Sequence, residues 1–475
     1  MPVTDGAQPR ICAAADLHAD THVPVAIVGA GACGLTAALA LQRLGVDCVL
    51  LERDAFARGS TALSSGFIPA PGTRAQQALG VQDSPEQFIA DIQAKSHGLS
   101  APLLAEAYAQ AIAPALDALE AAHGIPWQVL DGFLYPGHSS YRMHCVPEKT
   151  GSGLMSRLLA AADTAAVPVL TQARVTELWC DAEQRVHGIG YVRPDGSTER
   201  LRCDVLLLAC NGFGGAPALV QELLPEMAEA TYAGHTGNDG SAVLWGRALG
   251  AQLADLSAYQ GHGSWAMPQG ALISWALMME GGIQVNALGQ RFHDETQGYS
   301  EAAVHVLAQP GGVAWNVFDA ALLDFAQQFP DFVEAQAAGA VQHCADAAAL
   351  AQLIGCPLVD LQATLAQCSE GMEPVTGRRF KRALQTPLHA IRVTGALFHT
   401  QGGLDINAAM QVLRSDGTAF PNLLAAGGAA RGVSGNAVWG YLSGNGLLSA
   451  VAGGHIAAQT AQQLVAQAPI KDTSA

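Results

Sequence analysis

The clearest structural pattern of this chain lies in residues 23–53, VPVAIVGAGACGLTAALALQRLGVDCVLLER. A short β-branched run ends in glycines, a helical pattern follows, and a second apolar run ends in an acid. Gly29, Gly31 and Gly34 have the spacing GxGxxG, and Glu52 ends the second apolar run. This order predicts a strand–turn–helix–strand unit of Rossmann type with a dinucleotide at the turn.

Each part of this fingerprint has a mechanical reason. We expect Gly29 to allow the tight turn, Gly31 to let the backbone approach a pyrophosphate, and Gly34 to let the helix lie close to the strand. The first turn of the helix has free N–H groups for phosphate oxygens, and Glu52 is placed to accept hydrogen bonds from ribose hydroxyls. The pattern also predicts cofactor contacts for the neighbours Ala30, Cys33 and Arg53. By itself it does not separate NAD from FAD.

Length and composition indicate a large α/β enzyme. A chain of 475 residues exceeds one compact core, and half of it is apolar, with 52 glycines and 14% charged residues. The net charge of −17 argues against nucleic acid or an anionic membrane surface as a partner. No apolar run has the length of a membrane span, and we see no secretory signal. Scattered cysteines without a CxxC pair favour a reduced compartment, so we expect a cytoplasmic protein.

The sequence changes character along the chain. Residues 167–210 have the residue pattern of β-strands, with a hairpin turn at RPDG. A helix is predicted after GNDG, near residue 240. From about residue 258 the periodicity becomes less regular, and glycine-rich α/β sequence returns after residue 385. We therefore expect a dinucleotide-binding domain of residues 20–257 and 386–475, with a smaller domain of residues 258–385 inserted into it. His18, Asp20 and His22 have a loosely metal-like spacing but lie in the tail before the first strand, and we expect no metal site.

Four further segments resemble the superfamily of FAD-dependent fumarate reductases and 3-ketosteroid dehydrogenases. They are STALSSGFIPAPGT from Ser60, GGIQVNALGQRFHDE from Gly281, FHTQGGLDIN from Phe398 and LLAAGGAARG from Leu423. Their order is that of the family, from about residue 22 to residue 460, so the resemblance covers nearly the whole chain. It implies an α/β fold in which a Rossmann-type FAD-binding domain carries an inserted, smaller α+β catalytic or capping domain.

The cofactor implied by this resemblance is FAD. Covalent members of the superfamily have a histidine at the first position of the STALSSG loop, and because this chain has Ser60 there we expect non-covalent FAD. The sequence has no haem-attachment motif and no second nucleotide fingerprint, so the electron acceptor stays unidentified. The resemblance extends the expected FAD contacts to Ser60, Thr61, Ser64, Ser65, Gly66, Val175, Asn211, Gly212, Gly427, Gly444, Asn445 and Leu447.

Departures from the fumarate reductase pattern bear on the substrate. In that branch an arginine acid follows the RFxxE signature, and the equivalent position here is Tyr299. A second arginine, which relays protons, corresponds to a position near Met278. The arginine that clamps a carboxylate corresponds to a position near Val438 or Trp439. Three missing arginines argue against fumarate reduction.

Tyrosine at position 299 is similar instead to the 3-ketosteroid dehydrogenases, in which it looks like the base that takes a proton beside a ketone. The tail GYLSGNGLL adds Tyr441, Ser443 and Gly446, with a spacing similar to that of the Δ4-(5α)-dehydrogenases. In those enzymes a tyrosine hydroxyl and a glycine N–H hold the ketone oxygen, and the serine assists proton removal. The Δ1 enzymes have a YPGAG motif that this chain lacks.

The physical chemistry supports this transfer of roles. A proton leaves the carbon beside a ketone only if the developing enolate is stabilised, and one pre-placed donor typically contributes about 3–4 kcal/mol. A phenol titrates near 10, so Tyr299 needs help to act as a base near neutral pH. We expect His262 and His399, which match the family pattern, and Arg142 of YRMHCVPEKTG at the substrate. For Arg142 a surface salt bridge is the alternative.

The sequence therefore predicts an FAD-dependent dehydrogenase that introduces a C=C bond α,β to the ketone of a cyclic substrate, either a 3-ketosteroid or a smaller cyclic ketone. The proton would go to Tyr299 and the hydride to flavin N5. The alternative is a reductase of an activated C=C bond, in an enone or an unsaturated carboxylate, with the same fold. A third hypothesis is a flavin-binding protein that lost catalysis, against which Tyr299 and Tyr441 argue.

Overall fold

Two β-sheets organise the chain, whose computed structural model describes residues 8–369, 371–372 and 376–467. Within these residues the larger sheet has nine strands and is mixed. Seven of them lie in the spatial order Arg10–Ala13, Arg174–Cys180, Val186–Val192, Thr198–Leu208, His22–Val28, Cys48–Leu51 and Val169–Leu170. The other two are Ala419–Ala425, which pairs with the carboxyl end of Thr198–Leu208, and Gln411–Leu413 beside it.

The carboxyl ends of three parallel strands lie side by side in this sheet. Val28 pairs with Leu208, and Leu208 pairs with Ala425. The turns that follow these three strands therefore meet at one edge. In open α/β sheets this is the edge at which ligands bind.

The predicted strand–turn–helix–strand unit is confirmed as His22–Val28, Ala32–Arg43 and Cys48–Leu51. Its turn requires glycine at two points. Gly29 has a φ of +106°, and a Cβ on Gly34 would lie 2.0 Å from the carbonyl oxygen of Gly29. The helix can therefore approach the strand only because neither residue carries a side chain.

The hairpin predicted at RPDG and the helix predicted near residue 240 are also confirmed. The α-helices of the described residues are Ala32–Arg43, Gly59–Ala62, Arg74–Ala78, Pro85–Lys95, Pro102–His123, Gly151–Thr164, Pro217–Leu223, Ser241–Leu249, Ala276–Met279, Tyr299–Leu307, Ala320–Ala326, Pro330–Ala337, Ala347–Ile354, Leu358–Gln367 and Asn445–Gln467. The last of them packs against the first.

The second sheet is mostly antiparallel and has seven strands in the described part of the chain. Five of them follow one another as Ala271–Leu272, Tyr259–Ala266, Leu388–Thr400, Val313–Asp319 and Ile283–Val285, while Thr231–Tyr232 and Gln342–Cys344 also pair with Leu388–Thr400. Smaller sheets are formed by Ile68–Pro69, Met143–Cys145 and Gln128–Val129, by Leu253–Ala254 with Gly403–Leu404, and by Gly371–Met372 with Arg379–Phe380.

Helix Tyr299–Leu307 lies directly on the second sheet. Glycines in strand Tyr259–Ala266 permit this contact, since a Cβ on Gly261 would lie 2.8 Å from the Cβ of Ala303. The close approach places the first residue of the helix beside His262 of the strand. The packing of one helix on one strand thus sets the position of a predicted catalytic residue.

The observed α/β architecture agrees with the predicted fold class. The domain boundaries at residues 258 and 385 stay a prediction. The second sheet takes strands from both sides of them, Thr231–Tyr232 and Leu388–Thr400. Among the helices of the described residues, none combines the length and the apolar character that a membrane crossing requires.

Candidate active site

A cavity extends from the carboxyl edge of the first sheet to the start of helix Tyr299–Leu307. Residues of both sheets line this cavity, which opens to solvent. The fold brings most of the predicted cofactor and substrate residues to its wall. These are Gly29, Ala30, Gly31, Cys33, Glu52, Arg53, Ser60, Thr61, Ser64, Ser65, Gly66, Val175, Asn211, Gly427, Gly444, Leu447, His262, His399, Tyr299, Tyr441, Ser443 and Gly446.

Glu52 supports the glycine turn from the neighbouring strand. The backbone N–H of Ala30 donates to its Oε2 (3.2 Å), and the N–H of Asp54 donates to its Oε1 (3.0 Å). Burial raises the pKa of this carboxyl, and the two N–H groups act in the opposite direction. Because each oxygen of a carboxylate has a further lone pair, Glu52 retains acceptor capacity for a ribose hydroxyl.

The turn leaves room for a pyrophosphate. No side chain caps helix Ala32–Arg43 at Gly31, although the N–H of Ala32 donates to Oγ1 of Thr61 (3.1 Å). A Cβ on Gly31 would meet no atom closer than 3.6 Å, so the space above the turn is not filled by protein. Free N–H donors at a helix N-terminus beside an open glycine turn fit the pyrophosphate of FAD.

Ser60 is held by two amides at the wall of the cavity. Its Oγ accepts hydrogen bonds from Nδ2 of Asn211 (2.8 Å) and from Nδ2 of Asn238 (2.9 Å). Since both contacts use lone pairs, the hydroxyl hydrogen of Ser60 stays available for an acceptor in the cavity. Asn238 was not predicted, because nothing in its spacing links it to residue 60.

The side chains predicted for chemistry meet at the other end of the cavity. The ring of Tyr299 stacks on His262, with 4.8 Å between centroids and 23° between planes. Tyr441 contacts Tyr299 edge-on at 5.9 Å, and it lies 5.7 Å from His399. Gly446 is close to this group, because a Cβ on it would lie 2.7 Å from the ring of His399.

The two histidines at this end are neutral. The backbone N–H of Ser264 donates to Nδ1 of His262 (3.1 Å), so the hydrogen of the neutral ring is on Nε2. Burial lowers the pKa of His262 to about 3 and the pKa of His399 to about 4. Neither ring therefore carries a positive charge near neutral pH.

The hydroxyls of the two tyrosines lie among polar partners. Burial raises the pKa of Tyr299 to about 12, and hydrogen bonds with Ser443 and Tyr441 work in the opposite direction. Burial also raises the pKa of Tyr441 well above 10, against the effect of the N–H groups of Gly444 and Gly446. Two phenols, one serine hydroxyl and two backbone donors thus form a cluster that can hold an oxygen atom and move a proton.

Among the described residues, the wall around this cluster carries no charged side chain. It consists of Phe67, Tyr135, Met143, Gln260, Leu272, Ser274, Trp275, Phe398 and Gln401. The arginines that do line the cavity, Arg53 and Arg174, both pair with Asp239 and lie at the end marked by Glu52. An anionic substrate would lose its water here without gaining a cation, whereas an uncharged one would not incur this cost.

Arg142 does not line the cavity, which corrects the predicted substrate contact. Its side chain is fully buried, with Nε and Nη2 donating to Asp83 (2.9 and 2.8 Å) and Nη1 donating to Asp91. A buried guanidinium requires such partners. The alternative interpretation, a surface salt bridge, is correct that Arg142 forms an ion pair. It is wrong about the location, because the ion pairs of Arg142 are buried. No motif links the carboxylates to Arg142, so the sequence could not reveal this arrangement.

Three residues predicted to contact FAD also lie behind the wall. Gly34 packs under the turn, and Gly212 packs against Thr400, whose Oγ1 would lie 1.9 Å from an added Cβ. The side-chain amide of Asn445 donates to Oγ of Ser434 (3.1 Å). These residues shape the wall by packing instead of facing the cavity.

Two aromatic residues of the wall were missed. The indole N–H of Trp275 donates to the carbonyl oxygen of Glu295 (2.8 Å), and its ring meets His262 edge-on at 5.7 Å. Tyr135 packs edge-on against Phe67 with 6.2 Å between centroids. Trp275 lies shortly before the signature that starts at Gly281, which is a weak signal, and Tyr135 has none.

The profile of the FAD-binding domain family matches residues 24–447, most of the chain. The chain belongs to this family. FAD is therefore the dinucleotide of the glycine turn in this FAD-binding protein, and the choice that the fingerprint left open between NAD and FAD is settled.

Relatives come from both branches of the predicted superfamily. A probable fumarate reductase from Shewanella frigidimarina is 27% identical over 454 residues, which cover 92% of this chain and 74% of that protein. The open conformation of a flavocytochrome c3 fumarate reductase has a TM-score of 0.79 at 26% identity, covering 94% of this chain and 79% of that one. The 3-ketosteroid-Δ4-(5α)-dehydrogenase from Rhodococcus jostii RHA1, in complex with 4-androstene-3,17-dione, has a TM-score of 0.76 at 26% identity, covering 96% and 99%.

These relationships confirm the predicted superfamily and the enzyme class. The FAD-binding protein is an oxidoreductase, and its family acts on carbon–carbon double bonds. A reductase and a dehydrogenase resemble it to the same degree, at 26% identity each. The substrate and the direction of the reaction therefore have to be inferred from the site.

Proposed function

We propose that this FAD-binding protein dehydrogenates an uncharged cyclic ketone and introduces a C=C bond α,β to the carbonyl group. The proposal rests on the far end of the cavity, where Tyr299, Tyr441 and Ser443 meet. In the described part of the chain, no charged side chain lines the wall around these three residues. FAD, when bound, supplies the acceptor for the hydride that leaves the β-carbon. The residues of the chain have to hold the ketone oxygen and to remove the proton from the α-carbon.

The ketone oxygen is held by the hydroxyl of Tyr441 and the N–H of Gly446. Tyr441 keeps its hydrogen at all ordinary pH values because its pKa lies well above 10. Gly446 lies in the first turn of helix Asn445–Gln467, where backbone N–H groups have no partner within the helix and the helix dipole favours negative charge. Both donors strengthen their hydrogen bonds as the ketone becomes an enolate.

Tyr299 is the base that takes the proton. Its ring is fixed by the stack on His262, and a hydrogen bond with Ser443 favours its phenolate form. These contacts offset only part of the effect of burial, because the pKa remains at about 12. A small phenolate fraction with high basicity is therefore the reactive form near neutral pH.

A reductase that saturates an enone is the second candidate. It is supported by the reductase among the relatives and by Tyr299 itself, since a neutral phenol can also donate the proton to the α-carbon. The neutral wall favours an enone over an unsaturated dicarboxylate in this direction as well.

Anaerobic bleaching of the oxidised flavin band tests the proposal. We would add 5α-androstane-3,17-dione, cyclohexanone and succinate separately, and we expect bleaching by a ketone but not by succinate. Which ketone reacts sets the size of the substrate. Bleaching by succinate alone would contradict the proposal, and reoxidation of the reduced flavin by cyclohexenone without any bleaching by ketones would favour the reductase.

The Tyr299→Phe variant tests the base directly. We expect the rate of bleaching by the reactive ketone to fall by about 10²–10⁴, the range for loss of a general acid or base. The FAD content should not change, because Tyr299 lies at the opposite end of the cavity from Glu52 and the glycine turn. Tyr141→Phe, at an exposed tyrosine outside the cavity wall, is the matched control. Retained activity in Tyr299→Phe would exclude this residue as the base.

A further inference from the structure

The segment from Tyr135 to Arg142 runs behind the catalytic end of the cavity. Tyr135 lines the cavity, and its carbonyl oxygen accepts a hydrogen bond from the backbone N–H of His138 (3.1 Å). The imidazole of His138 is buried, and its Nε2 lies 3.0 Å from the carbonyl oxygen of Ser443. This histidine does not line the cavity, but it contacts the turn that carries the predicted catalytic serine.

The hydrogen on His138 can be located from its neighbours. Nη1 of Arg142 lies 3.3 Å from Nδ1 of His138. A guanidinium has only donors, so Nδ1 accepts and the hydrogen of the neutral ring is on Nε2. Burial lowers the pKa of His138 to about 4, which keeps the ring neutral. His138 is therefore an N–H donor to the carbonyl oxygen of Ser443.

Arg142 and its partners restrict the orientation of the His138 ring. The guanidinium is held by Asp83 and Asp91, and its Cζ lies 4.7 Å from the centre of the Phe88 ring. His138 stacks on the same ring, with 6.1 Å between centroids and 23° between planes. Carboxylates, guanidinium and imidazole thus form a buried chain that ends on the turn at Ser443.

The planar Ser443–Gly444 peptide group connects the contact with His138 to the cavity. In a trans peptide the C=O and the N–H point in opposite directions. When His138 holds the C=O of Ser443, the N–H of Gly444 in the same peptide is directed to the other side. That side is the cavity, because Tyr441, Ser443 and Gly444 all line it.

We propose that His138, fixed by Arg142, is a positioning residue that holds the Ser443–Gly444 peptide so that the Tyr441 hydroxyl faces the oxygen of the substrate. The proposal rests on the proposed function for its consequence in catalysis, but not for the contact itself. His138 acts on one peptide of the turn at Ser443, whereas the glycine turn and Glu52 lie at the other end of the cavity, so its loss should reduce turnover far more than FAD affinity. A misplacement of a reacting group by about 1 Å can lower the rate by about 10²-fold.

Two substitutions separate the hydrogen bond from the mere presence of a side chain. His138→Phe keeps the stack on Phe88 but removes the donor, whereas His138→Gln keeps an N–H donor at a similar reach. His138→Asn, which is too short to reach the Ser443 carbonyl, replaces the phenylalanine variant if that variant does not fold. His389→Phe, at a buried histidine outside the cavity wall, is the control for the general cost of such a change.

Three measurements are made on the FAD-loaded proteins. Hydrogen exchange of residues 441–447 reports on the turn without any substrate. Binding of pentafluorophenolate, followed by the shift of the flavin spectrum, reports on the oxygen site, with hexafluorobenzene as the probe that lacks the oxygen. The turnover rate with the reactive ketone reports on catalysis. We expect faster exchange, about tenfold weaker phenolate binding and a kcat lower by about 10²-fold in His138→Phe, and near-normal values in His138→Gln.

The outcomes distinguish this proposal from the proposed function. Unchanged exchange in His138→Phe would overturn the positioning role, whatever the substrate is. Faster exchange with unchanged phenolate binding and kcat would also overturn it, and so would a glutamine variant that behaves like the phenylalanine variant. If the wild-type protein neither bleaches with ketones nor binds pentafluorophenolate, the proposed function fails, while the exchange data still decide whether His138 holds the turn.

Discussion

At the scale of single residues, Tyr299 predicts how activity depends on pH. Its pKa is raised to about 12, so between pH 6 and pH 9 the phenolate fraction increases about tenfold per pH unit. If the phenolate removes the proton, kcat/KM for dehydrogenation of the ketone should increase with pH across this range. The measurement is the initial rate of anaerobic bleaching at constant ionic strength.

The reductive direction predicts a different profile for the same residue. A neutral Tyr299 that donates a proton is fully protonated below pH 10, so the rate should be nearly constant from pH 6 to pH 9. A flat profile for dehydrogenation would contradict the role of Tyr299 as the phenolate base. The two pH profiles therefore distinguish Tyr299 as the base of a dehydrogenation from Tyr299 as the acid of a reduction.

The sequence could locate some of these residues and not others. Glu52 and Tyr299 stand at fixed distances from glycine-rich or signature motifs, and both lie on the cavity wall. Arg142 was misplaced and His138 was missed, because their roles depend on Asp83 and Asp91 from a separate helix and loop. The spacing of residues within a motif can be recognised in the sequence, whereas the pairing of residues from distant segments cannot.

At the scale of elements, two glycines of one turn should behave differently when replaced by alanine. In Gly31→Ala the new Cβ meets no atom closer than 3.6 Å, but it enters the space left for the pyrophosphate. We expect the apoprotein to keep its Tm within a few degrees and to bind FAD at least tenfold more weakly. Thermal unfolding of the apoprotein and an FAD titration by fluorescence quenching measure the two effects.

The matched variant is Gly34→Ala. Its Cβ would lie 2.0 Å from the carbonyl oxygen of Gly29, so the helix has to move away from the strand. We expect a loss of stability typical of overpacking, about 1–3 kcal/mol or more, together with loss of FAD. Wild-type affinity for FAD in Gly31→Ala, or wild-type stability in Gly34→Ala, would contradict the division of roles between the two glycines.

Elements with local signals were predicted well, and elements that depend on distant partners were not. Strand His22–Val28, helix Ala32–Arg43 and the hairpin at RPDG follow from apolar periodicity and turn residues, and the structure confirms them. Leu388–Thr400 is the central strand of the second sheet, and the sequence analysis made no prediction of this strand. Its neighbours, Tyr259–Ala266 and Val313–Asp319, are far away in the chain, so no local pattern shows where it pairs.

At the scale of the whole molecule, the cavity wall joins the two sheets. The glycine turn of the first sheet supplies one end, and the strand and helix that carry His262 and Tyr299 supply the other. An ion pair between Lys95 and Glu301 adds a direct contact between helix Pro85–Lys95 and helix Tyr299–Leu307. A substitution that lowers the global stability should therefore affect both the catalytic end of the cavity and the binding of FAD.

Buried histidines make this stability sensitive to acid. Burial lowers the pKa values of several histidines to about 3 or 4, namely His138, His144, His262, His293 and His399. In the unfolded chain their pKa is about 6.5. Between these values the unfolded chain binds protons that the folded chain does not, so the free energy of unfolding falls as the pH falls. Each such histidine contributes a slope of about 1.4 kcal/mol per pH unit.

Buried acids with a raised pKa oppose this trend, and among the described residues they are fewer than the buried histidines. Burial raises the pKa values of Glu301 and Asp331, so these groups take up protons in the folded state first and contribute stability as the pH falls. The histidines begin to act already at pH 6.5, and we therefore expect the Tm of the FAD-loaded protein to decrease from pH 6.5 to pH 5. Circular dichroism and flavin fluorescence should give the same midpoint. Replacement of one of these histidines, as in His144→Gln, should make the decrease less steep, and a Tm that stays constant between pH 7 and pH 5 would show that the rings are not held neutral by the fold.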